Sequence, residues 1–271
     1  MLVLYQIKLS DKIRDMERLK IAQEAARAAG EAVRKAVPTE GVIEKEGRAN
    51  LVTAADLASE KAIVDIIRSN YPDDKILSEE TASDLDDPLA VPRLWVIDPI
   101  DGTSNFRYQR SYCAVSVGFV ERGVIQMGAI YNPFDDELFS AERGKGAFLN
   151  GIKIRVGDAS DLSKASVATD NSYDPEGTKR NIELLLKIKP TPWALIKGSA
   201  VLTMSETAAG RFDLYFHTVL KPWDNAAAFL IAEEAGAKIR DVEGNPINFM
   251  TKSAVVGNEK LVGQFLQSIK S

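Results

Sequence analysis

Two aspartates three residues apart, Asp98 and Asp101, follow the wholly apolar segment Leu94–Ile97. A strand would deliver Asp98 to a turn, where Pro99 restricts the backbone and Gly102 supplies the conformational freedom that the bend needs. Two carboxylates on such a turn can converge on one small cation. A turn aspartate can also bond only to its own backbone, so the pair alone leaves a purely structural role open.

The only cysteine, Cys113, and the only histidine, His217, limit the kinds of metal site that this chain can build. An ordinary zinc site needs several nitrogen or sulfur ligands, which these two residues do not supply. A metal would therefore be held by oxygen atoms, which favours magnesium, manganese or calcium. Thr103 and Ser104 stand just after the turn, where a helix could begin and its first N–H groups could hold a phosphate oxygen.

The composition is that of a globular protein, with 271 residues, 45% hydrophobic residues and a net charge of −5. An acidic surplus argues against binding to nucleic acid or to anionic membranes, which usually requires a basic surface. No segment resembles a signal peptide or a membrane span, so the cytosol is the expected location. No linker is visible, and we expect one compact unit over 1–271 with lobes of about 1–155 and 156–271.

The elements that must position these residues alternate irregularly between helix and strand. Helices are predicted over Asp11–Val37, Thr53–Asn70, Val201–Ala209 and Trp223–Ala235. Strands are predicted over Lys75–Leu77, Leu94–Ile97, Tyr112–Val120, Val124–Tyr131, Glu137–Ala141, Ser166–Thr169, Trp193–Lys197 and Arg211–Phe216. Asn150-Gly151 is typical of a hairpin turn, Thr81–Pro92 of a solvated loop, and Asp170–Pro175 with Lys179 and Arg180 of a mobile polar loop. This order predicts an α+β fold with helices covering mostly antiparallel sheets.

Four ordered segments give the chain a family resemblance. Asp98–Phe106 resembles the first signature of the inositol monophosphatase family, a branch of the lithium-sensitive phosphatases, which include fructose-1,6-bisphosphatases. The other three segments are Asn50–Asp56, Ser78–Glu80, and Trp223–Ala227 with Glu234–Gly236. The resemblance spans about residues 20–240 and is nearest to microbial, particularly archaeal, enzymes that hydrolyse both inositol monophosphate and fructose 1,6-bisphosphate. Four motifs in the order that the family has are not expected to occur together by chance.

This resemblance implies specific metal ligands. Glu79, Asp98 and the carbonyl group of Ile100 would bind a first Mg²⁺, and Asp98, Asp101 and Asp224 a second. A third, weaker site is a family possibility, and Mn²⁺ can replace Mg²⁺. Taken singly, Glu79 could be a solvated surface residue and Asp224 a plain helix N-cap, but the joint pattern favours ligand roles for both.

The resemblance also implies catalytic and substrate-binding roles. Thr103, backed by Asp56, would orient the attacking water, although Asp56 could equally serve only to begin a helix. Phosphate and substrate contacts would come from Asp101, Gly102, Thr103, Ser104, Ser199, Ala200, His217 and Lys221. His217 stands where animal inositol monophosphatases have a glutamate that holds inositol hydroxyls, and Lys221 could favour a second anionic group. The alternatives are a tight strand-to-helix junction around Ser199 and a structural histidine at position 217.

The fold and activity that the resemblance implies are a layered αβαβα sandwich and a Mg²⁺-dependent phosphomonoesterase. The enzyme would hydrolyse inositol monophosphate, fructose 1,6-bisphosphate or both with metal-activated water and no phospho-enzyme. It would be a homodimer and inhibited by lithium. The alternatives are a phosphatase of another sugar phosphate, of a nucleotide 3′-phosphate or of NADP, and a non-catalytic regulator that binds metal or phosphate. A haloacid-dehalogenase phosphatase is disfavoured because its two aspartates are two residues apart, not three.

Overall fold

The protein is represented by a computed structural model that describes residues 2–38, 41–44, 51–81, 85–172, 174–188 and 193–270. Within those ranges the α-helices are α1 (Leu2–Lys35), α2 (Ala54–Asn70), α3 (Thr103–Arg107), α4 (Pro175–Lys187), α5 (Ala200–Ala208), α6 (Pro222–Glu234) and α7 (Glu259–Ser268). The strands are β1 (Ile43–Glu44), β2 (Leu51–Val52), β3 (Lys75–Ser78), β4 (Arg93–Asp101), β5 (Ala114–Glu121), β6 (Val124–Asn132), β7 (Glu137–Glu142), β8 (Gly146–Leu149), β9 (Ile152–Lys153), β10 (Ser166–Thr169), β11 (Trp193–Ile196), β12 (Leu214–His217), β13 (Lys238–Arg240) and β14 (Ala254–Gly257). Asn50 and residues 82–84, which belong to segments singled out in the sequence, lie outside the described residues.

The strands form two large sheets and one small one. The seven-stranded first sheet has the order β3-β4-β5-β6-β7-β8-β9, in which only the β3–β4 pair is parallel. The five-stranded second sheet has the order β11-β10-β12-β14-β13, in which β10 runs parallel to both of its neighbours. Strands β1 and β2 pair separately. The prediction of mostly antiparallel sheets is confirmed, with three parallel strands, β11, β10 and β12, at one side of the second sheet.

Strand β4 shows how the first sheet separates two cores. Its side chains alternate, so Trp95 and Ile97 pack in the core formed with α1 and α2. Leu94 and Val96 point to the opposite face and pack in the core that contains α5 and α6. All four side chains are fully buried. A continuous apolar run is expected for a strand that is covered on both faces.

The remaining layers follow from the second sheet. Ala168 and Tyr215 face the central core shared with α5 and α6, whereas Leu214 and Phe216 face the outer core with α7. Phe216 packs on Phe265 of α7 with ring centroids 4.8 Å apart. The order is therefore helices, sheet, helices, sheet, helices, which confirms the predicted αβαβα sandwich.

Helix α6 lies against the first sheet because two glycines leave room for it. Gly118 of β5 and Gly128 of β6 are paired directly across the two strands. A Cβ atom at Gly118 would lie 2.8 Å from the Cβ of Ala226, and one at Gly128 only 2.7 Å from the Cα of Ala227. No side chain larger than hydrogen fits at either place, so the glycines set the depth at which α6 packs.

Several predicted elements are correct. Helix α2 begins at Ala54 with Thr53 as its N-cap, and Thr53 and Asp56 form the predicted capping box. Asn150 and Gly151 form the turn between β8 and β9 and both have positive φ, as a type I′ hairpin requires. Helix α1 extends further toward the N-terminus than predicted, from Leu2 to Lys35. None of the helices in the described ranges is both long and apolar enough to cross a membrane.

Two predictions were wrong. The segment from Asp170 to Arg180 is not a loop throughout, because α4 begins at Pro175 and contains Lys179 and Arg180. The Asp174 carboxylate accepts hydrogen bonds from the first amides of α4, and proline is favoured at the first helical position. Tyr173 lies outside the described residues. The strand predicted over Arg211–Phe216 begins three residues later, as β12 (Leu214–His217). Asp213, just before it, accepts a hydrogen bond from the amide of Ser166 at 2.8 Å.

Candidate metal centre and active site

Three carboxylates from distant parts of the sequence converge at the end of β4. One oxygen atom each of Asp98, Asp101 and Asp224 lies within 4.8 Å of the other two. Residues three apart on a regular strand would point to opposite faces. The pairing of β4 with β5 shifts register between Asp98 and Asp101, and Pro99 has no N–H group to contribute to the ladder. This irregularity lets both aspartates face the same site.

Asp224 is the third residue of α6 and not its N-cap, so the alternative of a plain cap was wrong. Lys221 occupies the N-cap position, and its amide donates to the Asp224 carboxylate at 2.7 Å. One oxygen of Asp224 is thereby held while the group faces the other two carboxylates. The position of α6 against Gly118 and Gly128 therefore also determines where Asp224 lies.

Asp98 is the most deeply buried member of the cluster, with 1% of its surface exposed. Its Oδ1 atom is buried and has no hydrogen-bond partner among the described residues. Burial raises the pKa of Asp98 well above its usual range, and the negative charges of Glu79, Asp101 and Asp224 raise it further. A buried carboxylate oxygen without a donor, beside other carboxylates, is the environment that a divalent cation satisfies.

Asp101 differs from Asp98 because hydrogen-bond donors of the protein partly offset the cost of burying its ionised form. Its Oδ2 atom accepts hydrogen bonds from the hydroxyl group of Ser199 and, at 2.8 Å, from the amide of Val201. Burial raises the pKa of Asp101 to about 6, and the hydrogen bonds from Ser199 and Val201 limit that rise. Asp101 is therefore the carboxylate of this cluster whose negative charge is best supported by protein donors.

Glu79 and Ile100 border the same cluster. Glu79 follows β3, and its amide bonds to the carbonyl oxygen of Ile97 at 3.3 Å, which extends the β3–β4 pairing by one residue. Burial raises the pKa of Asp224, and both Asp101 and Glu79 contribute to the rise, so the Glu79 carboxylate lies close to the cluster. The carbonyl oxygen of Ile100 accepts a hydrogen bond from the Thr103 hydroxyl at 2.9 Å.

Thr103 and Asp56 are connected across 47 residues of sequence. The Thr103 hydroxyl lies 3.1 Å from Oδ1 of Asp56. The other oxygen of Asp56 is held by the amide and the hydroxyl of Thr53 at 2.7 and 2.6 Å. Burial raises the pKa of Asp56, and its hydrogen bonds with Thr53 and Thr103 oppose the rise. The helix-capping role of Asp56 and its contact with Thr103 therefore coexist, one on each carboxylate oxygen.

The turn between the aspartates and α3 requires a glycine. Gly102 has φ +89°, and a Cβ atom there would lie 3.0 Å from the carbonyl oxygen of Tyr112 and 3.1 Å from that of Gly198. Thr103 is the first residue of α3, as the sequence predicted, and Ser104 borders the open side of the turn. The backbone from Gly102 to Ser104 thus lies beside the carboxylate cluster.

A cleft of about 920 Å³ opens over the cluster and contains most of the predicted substrate contacts. Ala200, the first residue of α5, and His217, the last residue of β12, border it, and the exposed Lys221 lies at its rim. His217 is buried, and its Nδ1 atom accepts a hydrogen bond from the amide of Val219 at 3.1 Å. Burial lowers the pKa of His217, which favours the neutral ring.

Four further polar residues near the cleft differ in whether they border it. Lys179 and Arg180 form surface ion pairs with Glu176 and Glu243 at 3.8 and 3.2 Å, and neither borders the cleft. Asn105 and Asp170, to which the sequence gave no role, both border it and are buried. The available signals were the place of Asn105 within the first motif and that of Asp170 directly after a predicted strand.

The chain is similar to known proteins over most of its length. The profile described as the inositol monophosphatase family matches residues 15–271. Inositol monophosphatase 1 of Bos taurus is 35% identical over 243 residues, covering 87% of each chain, and the Nus factor SuhB of Salmonella typhimurium is 36% identical over 256 residues, covering 93% of this chain and 95% of its own. Among solved structures, the IMPase of Thermotoga maritima superposes with a TM-score of 0.84 and 32% identity, covering 94% of this chain and 97% of its own.

Proposed function

The chain belongs to the inositol monophosphatase family of phosphatases, and on that premise we propose that it is a Mg²⁺-dependent phosphomonoesterase of small phosphorylated polyols and sugars. The observation that carries the proposal is the convergence of Asp98, Asp101 and Asp224 at the floor of the cleft. The preferred substrates are inositol monophosphate, fructose 1,6-bisphosphate or both. Another sugar phosphate, a nucleotide 3′-phosphate or NADP is the alternative within the same class.

The donor set at the cluster suits a hard cation such as Mg²⁺. All candidate ligands are oxygen atoms, from Glu79, Asp98, Asp101, Asp224 and the carbonyl group of Ile100, and the buried Oδ1 of Asp98 has no donor from the described protein. These residues would hold two ions, with a third as a possibility and Mn²⁺ as a substitute. Bound divalent cations would neutralise the carboxylates, activate a water molecule and stabilise the departing alkoxide.

The roles of the chain's own residues follow from the hydrogen bonds around Thr103. The Thr103 hydroxyl has one hydrogen and two acceptors in reach, the carboxylate of Asp56 and the carbonyl oxygen of Ile100. By donating to one of them, the hydroxyl keeps its lone pairs available to accept a hydrogen bond from the attacking water. Asp56 is held rigidly by Thr53 and would therefore keep Thr103 in this orientation.

Substrate recognition would take place along the rest of the cleft. The N–H groups of Gly102 and Thr103 and the Ser104 hydroxyl would contact the phosphate, and Ser199, Ala200 and His217 the remainder of the substrate. His217 is neutral and already hydrogen-bonded at Nδ1, so it would contribute shape more than charge. Lys221 at the rim is a cation that could meet a second phosphate group.

A non-catalytic regulator is the second candidate. It is suggested by relatives such as the Nus factor SuhB, whose name does not describe a phosphatase. A regulator that had lost catalysis would be expected to lose Thr103, Asp101 or Glu79, but all three are present. The retained residues favour an enzyme, and turnover decides between the two candidates.

The test is kcat/KM for a panel of phosphate esters with and without Mg²⁺. We expect hydrolysis of inositol 1-phosphate, fructose 1,6-bisphosphate or both to require Mg²⁺, to be inhibited by Li⁺ and to be abolished in Asp98→Asn. Asp174→Asn is the matched control, because Asp174 borders the same cleft but caps α4, where asparagine is an equally good cap. Wild-type protein that hydrolyses no ester in Mg²⁺ would favour the regulator.

We also propose a homodimer formed through the edge of the second sheet. Strand β11 is one of the two edge strands of this sheet, and Trp193 and Leu195, two residues apart on one face of it, expose 65% and 40% of their surfaces. Exposed apolar edge strands commonly mark interfaces. Sedimentation velocity should show a dimer that dissociates in Trp193→Lys, whereas a monomeric wild type would refute the proposal.

A further inference from the structure

Asn105 is a buried polar residue whose side chain reaches three backbone carbonyl groups. It lies on α3 and has 4% of its surface exposed. Its Nδ2 atom lies 2.8 Å from the carbonyl oxygen of Tyr112, 2.9 Å from that of Lys197 and 3.1 Å from that of Gly198. An amide nitrogen has two hydrogens, so one bonds to Tyr112 and the other is shared between Lys197 and Gly198. The amide thus joins the segment after β11 to the segment before β5.

The Lys197-Gly198 segment is held on its other side as well. Its two amides both donate to Oδ1 of Asp170, a residue with 3% of its surface exposed that directly follows β10. Gly198 has φ +85°, and a Cβ atom there would lie 3.0 Å from Nδ2 of Asn105. The close approach of Asn105 therefore explains why position 198 needs glycine. The N–H groups of Lys197 and Gly198 therefore donate to Asp170, and their carbonyl groups accept from Asn105.

This segment leads directly to a carboxylate of the cluster. Ser199 is the N-cap of α5, and its hydroxyl donates to Oδ2 of Asp101, together with the amide of Val201. The orientation of the Asp101 carboxylate therefore depends on where α5 begins. The start of α5 depends in turn on the segment that Asn105 holds.

We propose that Asn105 is a positioning residue for the metal centre, because it holds Lys197 and Gly198 against α3 so that Ser199 and Val201 orient Asp101. The inference rests on the proposed function, since it assigns to Asp101 the role of a metal ligand. Asn105 acts through other residues and is not itself a ligand. Outer hydrogen-bond partners of this kind typically change metal affinity about 10- to 100-fold when they are removed.

Asparagine is the residue type that fits this place. Aspartate would direct a carboxylate oxygen at three carbonyl oxygens, and alanine would leave those carbonyl groups without their shared donor. The side chain must also be short, since it lies between α3 and the Gly198 turn. Position 105 therefore requires a short side chain that ends in a hydrogen-bond-donating amide, which is asparagine.

The test measures Mg²⁺ affinity by calorimetry, which does not depend on turnover, and kcat in parallel. In Asn105→Ala we expect the Kd for Mg²⁺ to rise about 10- to 100-fold and kcat to fall by a similar factor. Asn258→Ala is the matched control, because the Asn258 amide also donates to two carbonyl groups, of Gly157 and Ala159, but caps α7 in the outer layer. The control should lower the melting temperature and leave Mg²⁺ affinity unchanged.

A double-mutant cycle with Ser199→Ala tests the proposed route. If Asn105 acts through Ser199 and Asp101, the double variant should bind Mg²⁺ no more weakly than the worse single variant. Additive losses would overturn the route. Should Asn105→Ala not fold, Ser199→Ala alone must still weaken Mg²⁺ binding, and an unchanged Kd in that variant would refute the inference.

Failure of the proposed function is distinguishable from failure of this inference. A wild type that binds Mg²⁺ but hydrolyses no phosphate ester would refute the enzyme activity, while the calorimetric comparison of Asn105→Ala with Asn258→Ala would still decide the role of Asn105. Equal Mg²⁺ affinity in wild type and Asn105→Ala, with only a lower melting temperature in the variant, would show a merely structural asparagine. A wild type that does not bind Mg²⁺ would refute both proposals.

Discussion

Replacing Asp98 with asparagine is expected to change stability in opposite directions without and with Mg²⁺. Asp98 is buried beside Asp101 and Asp224, and its Oδ1 atom lacks a donor from the described protein. Without a cation, each further negative charge at the cluster opposes folding. With a cation bound as proposed, the same carboxylate would be a ligand. The variant removes one charge from the cluster and keeps the size of the side chain.

The magnitude follows from the distances between the carboxylates. At 4.8 Å, two unit charges repel by about 3.5 kcal/mol at an effective dielectric constant of about 20. Asp101 and Asp224 are partly exposed and Asp98 can take up a proton, so the net gain should be smaller, about 1–3 kcal/mol. For a chain of this size that is roughly 3–8 °C in melting temperature. Mg²⁺ at 100 times its Kd should stabilise the wild type by about 2.7 kcal/mol.

The assay is thermal unfolding of wild type and Asp98→Asn in EDTA and across a Mg²⁺ titration. In EDTA the variant should melt at the higher temperature. The difference should shrink as Mg²⁺ is added, because only the wild type gains the full stabilisation, and should reverse once that stabilisation exceeds the variant's gain in EDTA. Asp174→Asn again serves as control and should follow the wild type. A variant that is less stable than wild type in EDTA, or that responds equally to Mg²⁺, would refute this account of the cluster.

Three further outcomes are expected. Thr103→Val should lower kcat about 10²- to 10⁴-fold and keep its Mg²⁺ affinity, whereas Thr103→Ser should retain most of the wild-type rate in steady-state assays. An equal loss of kcat in both variants would show that the hydroxyl group has no role in catalysis. Burial raises the pKa of Asp101 from 3.8 to about 6, so its ionisation destabilises the metal-free protein as pH rises from about 4 through 6. Asp101→Asn should therefore gain stability relative to the wild type across that range in EDTA. A difference in stability between the two proteins that does not change with pH would contradict the pKa shift. Gly128→Ala should lower the free energy of unfolding by about 1–3 kcal/mol and weaken Mg²⁺ binding, because the added methyl group displaces α6 and with it Asp224. The control Gly263→Ala has nothing within 4 Å of the added Cβ and should be neutral or slightly stabilising in the same thermal melts. Unchanged Mg²⁺ affinity in Gly128→Ala would show that the packing of α6 does not control the site.

The local chemistry of the site could be predicted because it is encoded in short segments. An apolar run followed by Asp-Pro and Gly-Thr predicts a buried strand, a turn and a helix start, and β4 and α3 have this structure. The capping box of Thr53 and Asp56 was equally local. Helix α4 was missed because the polar segment before Pro175 resembles a loop until the capping role of Asp174 is recognised.

The spatial relations between the segments were decided by packing. Nothing in the sequence around Asp224 indicates that α6 lies on the first sheet, because that contact depends on Gly118 and Gly128 being paired across β5 and β6. The sequence likewise gives no sign that Asn105 bonds to Lys197, 92 residues away. The two residues meet only in the folded chain, where the Lys197 carbonyl group lies beside the Asn105 amide.

The sequence by itself determined which side chains could bind a metal and which strands, turns and helix starts would carry them, since those properties depend on residues within a few positions of one another. Only the tertiary structure decided that carboxylates from β4 and α6 meet, and that Asn105 and Asp170 hold the segment between them. Such contacts depend on the depth at which layers pack, and packing depth is set by pairs of residues far apart in the chain.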